Sequence, residues 1–184
     1  IYMFVDHFKA FIFDLDDTLV DSSQVEYLSM KKWCAENDID LDVALETGKG
    51  GRTEDTVSLL APHLDAGKEA LKIEAFEALL LNDLQSITGA ATFLKRLPAS
   101  QWAIVTSSSS SAAALKLQAA NLPEPDILIT ADSVSRGKPD PEPYEKAIER
   151  LGVAPEDCLV FEDADNGVNS ALRAGCKVVI IGNG

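Results

Sequence analysis

Four aspartates lie within eight residues near the start of the chain, directly after a short apolar run. The stretch FIFDLDDTLVDS, residues 11–22, contains Asp14, Asp16, Asp17 and Asp21. At about 5 Å separation and an effective dielectric of about 20, each pair of carboxylates repels by roughly 3 kcal/mol. Carboxylates crowded in this way need a compensating cation, and Mg²⁺ is a hard cation that suits oxygen ligands. The stretch therefore predicts a magnesium site whose carboxylates act together with the metal.

Polar residues of complementary kinds follow other apolar runs. Thr106 ends the second run and Ser107 follows it, Lys138 lies in RGKPDP after the third, and Glu162 ends the fourth and is followed by Asp163. If these runs are parallel strands of one sheet, their carboxyl ends meet at one crevice. The alternative is that acids and hydroxyls merely cap the helices that follow. Capping explains one such strand end easily but explains four of them poorly.

Five apolar runs predict the strands that position these residues. The runs are rich in β-branched and aromatic residues, which is typical of buried strands in a parallel sheet. Helical patterns at residues 112–120, 141–151 and 166–174 alternate with the later runs, and this alternation predicts a doubly wound α/β fold. The runs are AFIF at residues 10–13, WAIVT at 102–106, DILIT at 126–130, CLVFE at 158–162 and KVVII at 177–181.

A long interval without a strand pattern separates the first and second runs. From about residue 24 to residue 97 the sequence shows amphipathic helices and a glycine-rich break at TGKGGRTED. We therefore predict a Rossmann-like parallel sheet domain formed by residues 1–22 and 89–184. A small helical cap at residues 23–88 is predicted to be inserted after the first strand.

Composition limits the partners and the compartment. The formal net charge of −14 over 184 residues predicts repulsion from nucleic acid and from anionic membranes. The three cysteines are widely spaced and form no CxxC pair, which favours reduced thiols in the cytoplasm over disulfides or a zinc site. No apolar run approaches the roughly 20 residues that cross a bilayer. We expect a cytoplasmic monomer that binds a small molecule.

The motifs resemble those of the haloacid dehalogenase-like hydrolase superfamily, in its phosphatase branch. The resemblance is carried by DLDDT, VTSS, GKPDPEPY and FEDADNGVNSALRAG, and it extends from the first strand nearly to the end of the chain. The stretch GGRTEDTVSLLAP at residues 50–62 also resembles sugar and polyol phosphatases of the glycerol-3-phosphatase and 2-deoxyglucose-6-phosphatase group. The resemblance implies Mg²⁺-dependent hydrolysis of a small sugar or polyol phosphate through an aspartyl-phosphate.

The resemblance also implies a role for each matching residue. Asp14 is the expected nucleophile, and Asp16 is the expected general acid and then general base. Thr106 is expected to donate its hydroxyl to a phosphate oxygen. Lys138 is expected to neutralise charge shared by the nucleophile and the phosphoryl group. The expected metal ligands are Asp14, Asp163, Glu162 and the backbone carbonyl of Asp16.

Three further residues are predicted to bind the substrate. Lys49 and Arg52 lie in the glycine-rich break, and Ser107 follows the second strand. The resemblance implies that Arg52 points from the cap toward the substrate, where its guanidinium suits phosphate or hydroxyl oxygens. A solvated surface arginine is the alternative. Asp17 stands where the family most often has glycine, and aspartate tolerates the geometry of a turn.

Two other functions stay open on the sequence alone. A sugar phosphomutase of the β-phosphoglucomutase type shares the nucleophile, the acid/base and the cap, but returns the phosphoryl group to the sugar. A response-regulator receiver domain also surrounds a phosphorylated aspartate with acids, a hydroxyl and a lysine. In that domain the lysine comes last and no large insertion follows the first strand. The order of Lys138 and Glu162 therefore disfavours the receiver.

Overall fold

Five parallel strands form the centre of the molecule. The computed structural model describes residues 7–182, and within them the strand order is β3-β2-β1-β4-β5. All four pairings between these strands are parallel. The strands are β1 (Ala10–Phe13), β2 (Trp102–Val105), β3 (Leu128–Ile129), β4 (Cys158–Glu162) and β5 (Lys177–Ile180). The predicted doubly wound α/β fold is confirmed.

Helices occupy the connections between the strands. The helices are α1 (Ser23–Asn37), α2 (Leu41–Gly48), α3 (Thr53–Leu60), α4 (Ala66–Leu80), α5 (Ala90–Leu94), α6 (Ser110–Ala119), α7 (Glu142–Leu151) and α8 (Asp165–Arg173). The helices after β2, β3 and β4 match the three predicted helical patterns within two residues at each end. None of the helices between residues 7 and 182 has both the length and the apolar character that a membrane span requires.

Alternate residues of the central strand pack on opposite faces of the sheet. Ile12 belongs to a buried apolar cluster with Tyr144 of α7, whereas Phe13 belongs to a second cluster with Leu117 of α6. A strand that is covered on both faces needs an apolar residue at every position, which explains the continuous apolar runs. This two-sided packing holds the carboxyl ends of β1, β2 and β4 side by side.

The helices between β1 and β2 pack around an apolar cluster of their own. The cluster contains Trp33 of α1, Ala44 of α2, Val57 of α3 and Ile73 of α4, and each is at most 3% exposed. We call helices α1–α4 the helical insertion. A separate core allows such a unit to be stable beside the sheet. The domain boundaries after residues 22 and 88 stay a prediction, and residues 1–6 and 183–184 lie outside the described part of the chain.

Candidate active site

The carboxyl ends of three adjacent strands bring predicted site residues together. Asp14 follows β1, Thr106 follows β2 and Glu162 ends β4. These three residues and Lys138 are each at most 6% exposed. The backbone N–H of Asp14 donates to the carbonyl of Phe161 at 3.0 Å, which fastens the turn after β1 to β4.

Lys138 is the centre of a buried ion-pair network. Its Nζ lies 2.6 Å from Asp14 Oδ1, 2.6 Å from Glu162 Oε1 and 3.1 Å from the carbonyl oxygen of Val105. Burial alone would lower the pKa of Lys138, but the two carboxylates outweigh burial and raise this pKa. The lysine therefore stays cationic beside the predicted nucleophile.

Glu162 is engaged at both of its carboxylate oxygens. Its Oε1 accepts from the Tyr144 hydroxyl at 2.6 Å as well as from Lys138, and its Oε2 accepts from the backbone N–H of Asp163 at 3.1 Å. Gly167 leaves room for this carboxylate, because a Cβ at that position would lie 1.7 Å from Glu162 Oε1. Sequence reasoning assigned no role to Tyr144, although it closes the GKPDPEPY motif.

Three carboxylates at this position could hold a metal ion. Asp14, Glu162 and Asp163 each offer an oxygen, and these oxygens lie within 4.8 Å of one another. Burial raises the pKa of Asp14 more than Lys138 lowers it, and burial together with Glu162 raises the pKa of Asp163 to about 6. Repulsion by Glu162 adds to the effect of burial on both pKa values, and Lys138 is the ammonium group that contacts Asp14 and Glu162. The residues present therefore fit a hard divalent cation with oxygen ligands.

Asp16 is held by Lys116 and Ser108, to which sequence reasoning assigned no role. Lys116 Nζ lies 2.7 Å from Asp16 Oδ1, and the Ser108 hydroxyl donates to Asp16 Oδ2 at 3.0 Å. Burial alone would raise the pKa of Asp16, but the charge of Lys116 and its hydrogen bond lower it. Lys116 lies in the last turn of α6 and is buried, although a lysine in a helix ordinarily faces solvent. Its local sequence, AAALKLQ, carries no signal that this side chain is buried.

The turn after β1 depends on Asp17. This residue has a φ of 54°, in the left-handed region that glycine adopts most easily. Its carboxylate accepts from the backbone N–H groups of Ser22 at 3.0 Å and Ser23 at 2.9 Å, at the start of α1. Asp17 therefore serves the turn and the beginning of the insertion.

A cleft of about 370 Å³ lies between the strand ends and the helical insertion. Asp14 and Asp16 line it from the sheet, together with Asp163, Ser107 and Lys116. The insertion contributes three carboxylates and one exposed lysine. These residues are Glu26 of α1, Glu74 and Glu77 of α4, and Lys49. The cleft has the size for a small phosphorylated molecule.

The glycine-rich segment at residues 48–51 contacts the loop after β2 and helix α8. The Ser107 hydroxyl donates to the carbonyl of Gly50 at 3.0 Å, and the Asn166 side chain donates to the carbonyl of Lys49 at 2.8 Å. Gly50 has a φ of 69°, and a Cβ there would lie 2.6 Å from the Cβ of Ala164. Glycine thus permits both the turn and the close approach, which bring Lys49 to the edge of the cleft.

Arg52 does not line the cleft that contains Asp14 and Asp16. Its guanidinium is paired with the Asp55 carboxylate, with Nε at 2.7 Å and Nη2 at 2.9 Å. The side chain packs against Gly137 and lines a second cavity of about 440 Å³. The role of Arg52 in binding the substrate stays a prediction, and in this structure its guanidinium is paired with Asp55.

Comparison with known proteins agrees with this arrangement. A family model described as haloacid dehalogenase-like hydrolase matches residues 8–175. The chain belongs to the haloacid dehalogenase-like hydrolases. Its match to the family model covers every strand except β5.

Individual relatives of this haloacid dehalogenase-like hydrolase are similar over nearly its whole length. Hexitol phosphatase A of Escherichia coli (strain K12) is 35% identical over 182 residues, which cover 94% of this chain and 82% of the relative. Beta-phosphoglucomutase of Bacillus subtilis (strain 168) is 29% identical over 190 residues, with coverages of 96% and 84%. The crystal structure of a hydrolase from Pseudomonas syringae has a TM-score of 0.83 at 27% identity, with coverages of 94% and 83%. The predicted family and enzyme class, a phosphoric monoester hydrolase, are confirmed.

Proposed function

We propose that this hydrolase removes phosphate from small sugar or polyol monophosphates with the help of Mg²⁺. The observation that carries the proposal is the buried pair of Asp14 and Lys138, 2.6 Å apart, at a cleft that Asp16 also lines. The similarity to hexitol phosphatase A supports the class of substrate. Asp14, Asp163 and Glu162, with the backbone carbonyl of Asp16, would hold the ion. Mg²⁺ bound there supplies positive charge against the phosphoryl oxygens.

In the first step the carboxylate of Asp14 attacks the phosphorus of the substrate. The bond from phosphorus to the sugar oxygen breaks, and the phosphoryl group is left on Asp14. Lys138 balances the charge of the nucleophile and the phosphoryl oxygens. The Thr106 hydroxyl already accepts from the N–H of Ser108 at 3.0 Å, so its own proton is available to a phosphoryl oxygen. Asp16 donates a proton to the departing sugar oxygen, which is a poor leaving group as an alkoxide.

In the second step a water molecule attacks the phosphorus of the aspartyl-phosphate. Asp16, now a carboxylate, takes the proton from this water, and the charge of Lys116 favours that ionised form. Inorganic phosphate leaves and Asp14 is regenerated. A phosphomutase would use a sugar hydroxyl in place of water. The higher identity to the hexitol phosphatase, 35% against 29% for the mutase, supports water as the acceptor.

A phosphate-release assay tests the proposed function. The purified chain is incubated with hexose, hexitol and glycerol monophosphates, in Mg²⁺ or in excess EDTA, and the products are separated. We expect inorganic phosphate from at least one substrate, loss of this activity in EDTA and recovery with added Mg²⁺. Full activity in EDTA would contradict the metal assignment. An isomeric sugar phosphate without inorganic phosphate would favour the mutase, and a preference for phosphoproteins would contradict the substrate class.

A further inference from the structure

Lys116 is a buried cation between Asp16 and the helical insertion. Its side chain is 3% exposed. Its Nζ lies 2.7 Å from Asp16 Oδ1, 3.1 Å from Ser108 Oγ and 3.6 Å from Glu77 Oε2. Asp16 and Ser108 are within hydrogen-bond distance, and Glu77 adds an ion pair at 3.6 Å. The contacts of the ammonium group are therefore with groups at one end of the cleft.

Both carboxylate oxygens of Asp16 are directed by this arrangement. Oδ1 faces Lys116, and Oδ2 accepts from the hydroxyl of Ser108, which itself contacts Lys116. A carboxylate held at both oxygens keeps one orientation relative to the neighbouring Asp14. Orientation of this kind matters for proton transfer, because a displacement of about 1 Å can cost about 100-fold in rate.

Glu77 extends the contact into the insertion. It lies on α4, and the hydroxyl of Ser29 on α1 donates to its Oε1 at 3.1 Å. A single lysine on α6 thus joins Asp16 to two helices of the insertion. Burying a lysine carries a desolvation cost that an apolar residue of similar size would avoid. The presence of the lysine is therefore better explained by its effect on Asp16 than by stability.

We propose that Lys116 is a positioning residue that orients the Asp16 carboxylate for proton transfer. The inference rests on the proposed function, since Asp16 acts as acid and base only in that reaction. Lys116 acts through the carboxylate of Asp16, which it contacts. Its removal should slow turnover and leave substrate binding nearly unchanged.

A double-mutant cycle tests this role. Lys116→Met, Asp16→Asn and the double variant are compared with the unchanged enzyme on the monophosphate that releases phosphate fastest. Lys116→Met is expected to lower kcat about 10- to 100-fold and to change KM less than about threefold. In the Asp16→Asn background the same substitution should lower kcat less than about threefold, since no acid/base carboxyl is left to orient. Lys95→Met, at an exposed lysine after α5, is the matched control.

Thermal unfolding of each variant separates positioning from folding. If Lys116→Met does not fold, the double variant Lys116→Met/Glu77→Gln replaces it, because this variant also removes the charge that Glu77 would otherwise carry without its partner. The single variant Glu77→Gln is then the reference. The same loss of kcat and the same dependence on Asp16 are expected. An unchanged kcat in a folded variant, or equal losses with and without the Asp16 carboxyl, would overturn the inference alone. Full activity of Asp16→Asn would overturn the proposed function and the inference with it.

Discussion

The carboxylate of Glu162 occupies the space that a side chain at position 167 would need. Glu162 receives donors from Lys138, Tyr144 and the backbone after β4, so its position sets that of Lys138 and, through it, of Asp14. A Cβ at position 167 would lie 1.7 Å from one oxygen of this carboxylate and 2.3 Å from the other. The glycine in the first turns of α8 is therefore a requirement of the site.

Replacing Gly167 by alanine is expected to displace the Glu162 carboxylate. Overpacking of this kind typically costs about 1–3 kcal/mol in the free energy of unfolding, and the displaced network should also lower phosphate release. Urea unfolding and the phosphate-release assay measure the two effects. Gly182→Ala is the matched control, because a Cβ there would meet no atom within 4 Å. Wild-type stability and activity in Gly167→Ala would contradict this account of the network.

Asp16 has to hold a proton in the first step and to take one in the second. Lys116 and Ser108 both favour its ionised form, and so favour the second role. The first step therefore makes the larger demand on this residue. For that reason a test of the acid role has to observe the first step separately from overall turnover.

At the scale of elements, the strand ends were predictable and the burial of Lys116 was not. Strands β1, β2 and β4 are apolar and buried along most of their length, and each ends at or just before a polar residue. If these strands are neighbours, the sequence predicts that Asp14, Thr106 and Glu162 lie at one edge of the sheet. The observed helix ends differ from the predicted ones by one or two residues. For example, α6 begins two residues before the predicted start at Ala112, because Ser109 caps the helix by accepting from the N–H of Ala112 at 3.2 Å. The surroundings of Lys116 depend on helix α4, which is remote in sequence, and no local pattern encodes that contact.

In the segment that joins α2 to α3, the direction of a side chain could not be predicted from its residue type. Arg52 has the chemistry of a phosphate ligand, and its neighbours resemble those of sugar phosphatases. The carboxylate of Asp55, three residues further along, pairs with the guanidinium, and Arg52 does not line the cleft. A pair at this spacing was visible in the sequence, because residues three apart share one face of a helix.

Alanine substitutions in this segment should separate Lys49 from Arg52. Lys49 is exposed at the edge of the cleft, so Lys49→Ala should raise KM for sugar phosphates about 2- to 10-fold by removing an attractive charge. Arg52→Ala should leave KM within about twofold and lower the free energy of unfolding by about 1 kcal/mol, since it removes an ion pair and packing against Gly137. Steady-state kinetics and urea unfolding measure both. A raised KM for Arg52→Ala with an unchanged KM for Lys49→Ala would instead identify Arg52 as the substrate contact.

At the scale of the whole molecule, negative charge extends from the surface into the cleft. The chain has a formal net charge of −14, and the insertion places Glu26, Glu74 and Glu77 along the cleft. Burial raises the pKa of Glu26 and of Glu77, and the charge of Asp16 raises both further, which means that this lining disfavours additional negative charge. Lys116, the buried cation in this lining, is already paired with Asp16. The part of the cleft beyond the phosphate is therefore suited to neutral hydroxyl groups.

This charge distribution predicts discrimination against substrates with a second anionic group. Glycerol phosphate and phosphoglycerate have similar size and differ in a hydroxymethyl group against a carboxylate. We expect kcat/KM for the phosphoglycerate to be lower by at least about tenfold, since like charges at about 4 Å repel by about 1–4 kcal/mol between bulk water and a protein surface. Glu77→Gln should reduce the difference in kcat/KM between glycerol phosphate and phosphoglycerate. Equal kcat/KM values for the two substrates would show that the insertion carboxylates do not face the substrate.

We propose that Asp14 carries the phosphoryl group while Asp16 moves the protons, and the burst rate of Asp16→Asn distinguishes these two roles. The burst is measured with a sugar phosphate and with p-nitrophenyl phosphate, whose phenolate leaves without a proton. The account predicts a loss of about 10²–10⁴-fold for the sugar phosphate, a smaller loss for the aryl ester, and a phosphoryl group trapped on Asp14. Asp14→Asn should show no burst with either substrate. Equal proportional losses for both substrates, with no trapped phosphoenzyme, would contradict the account.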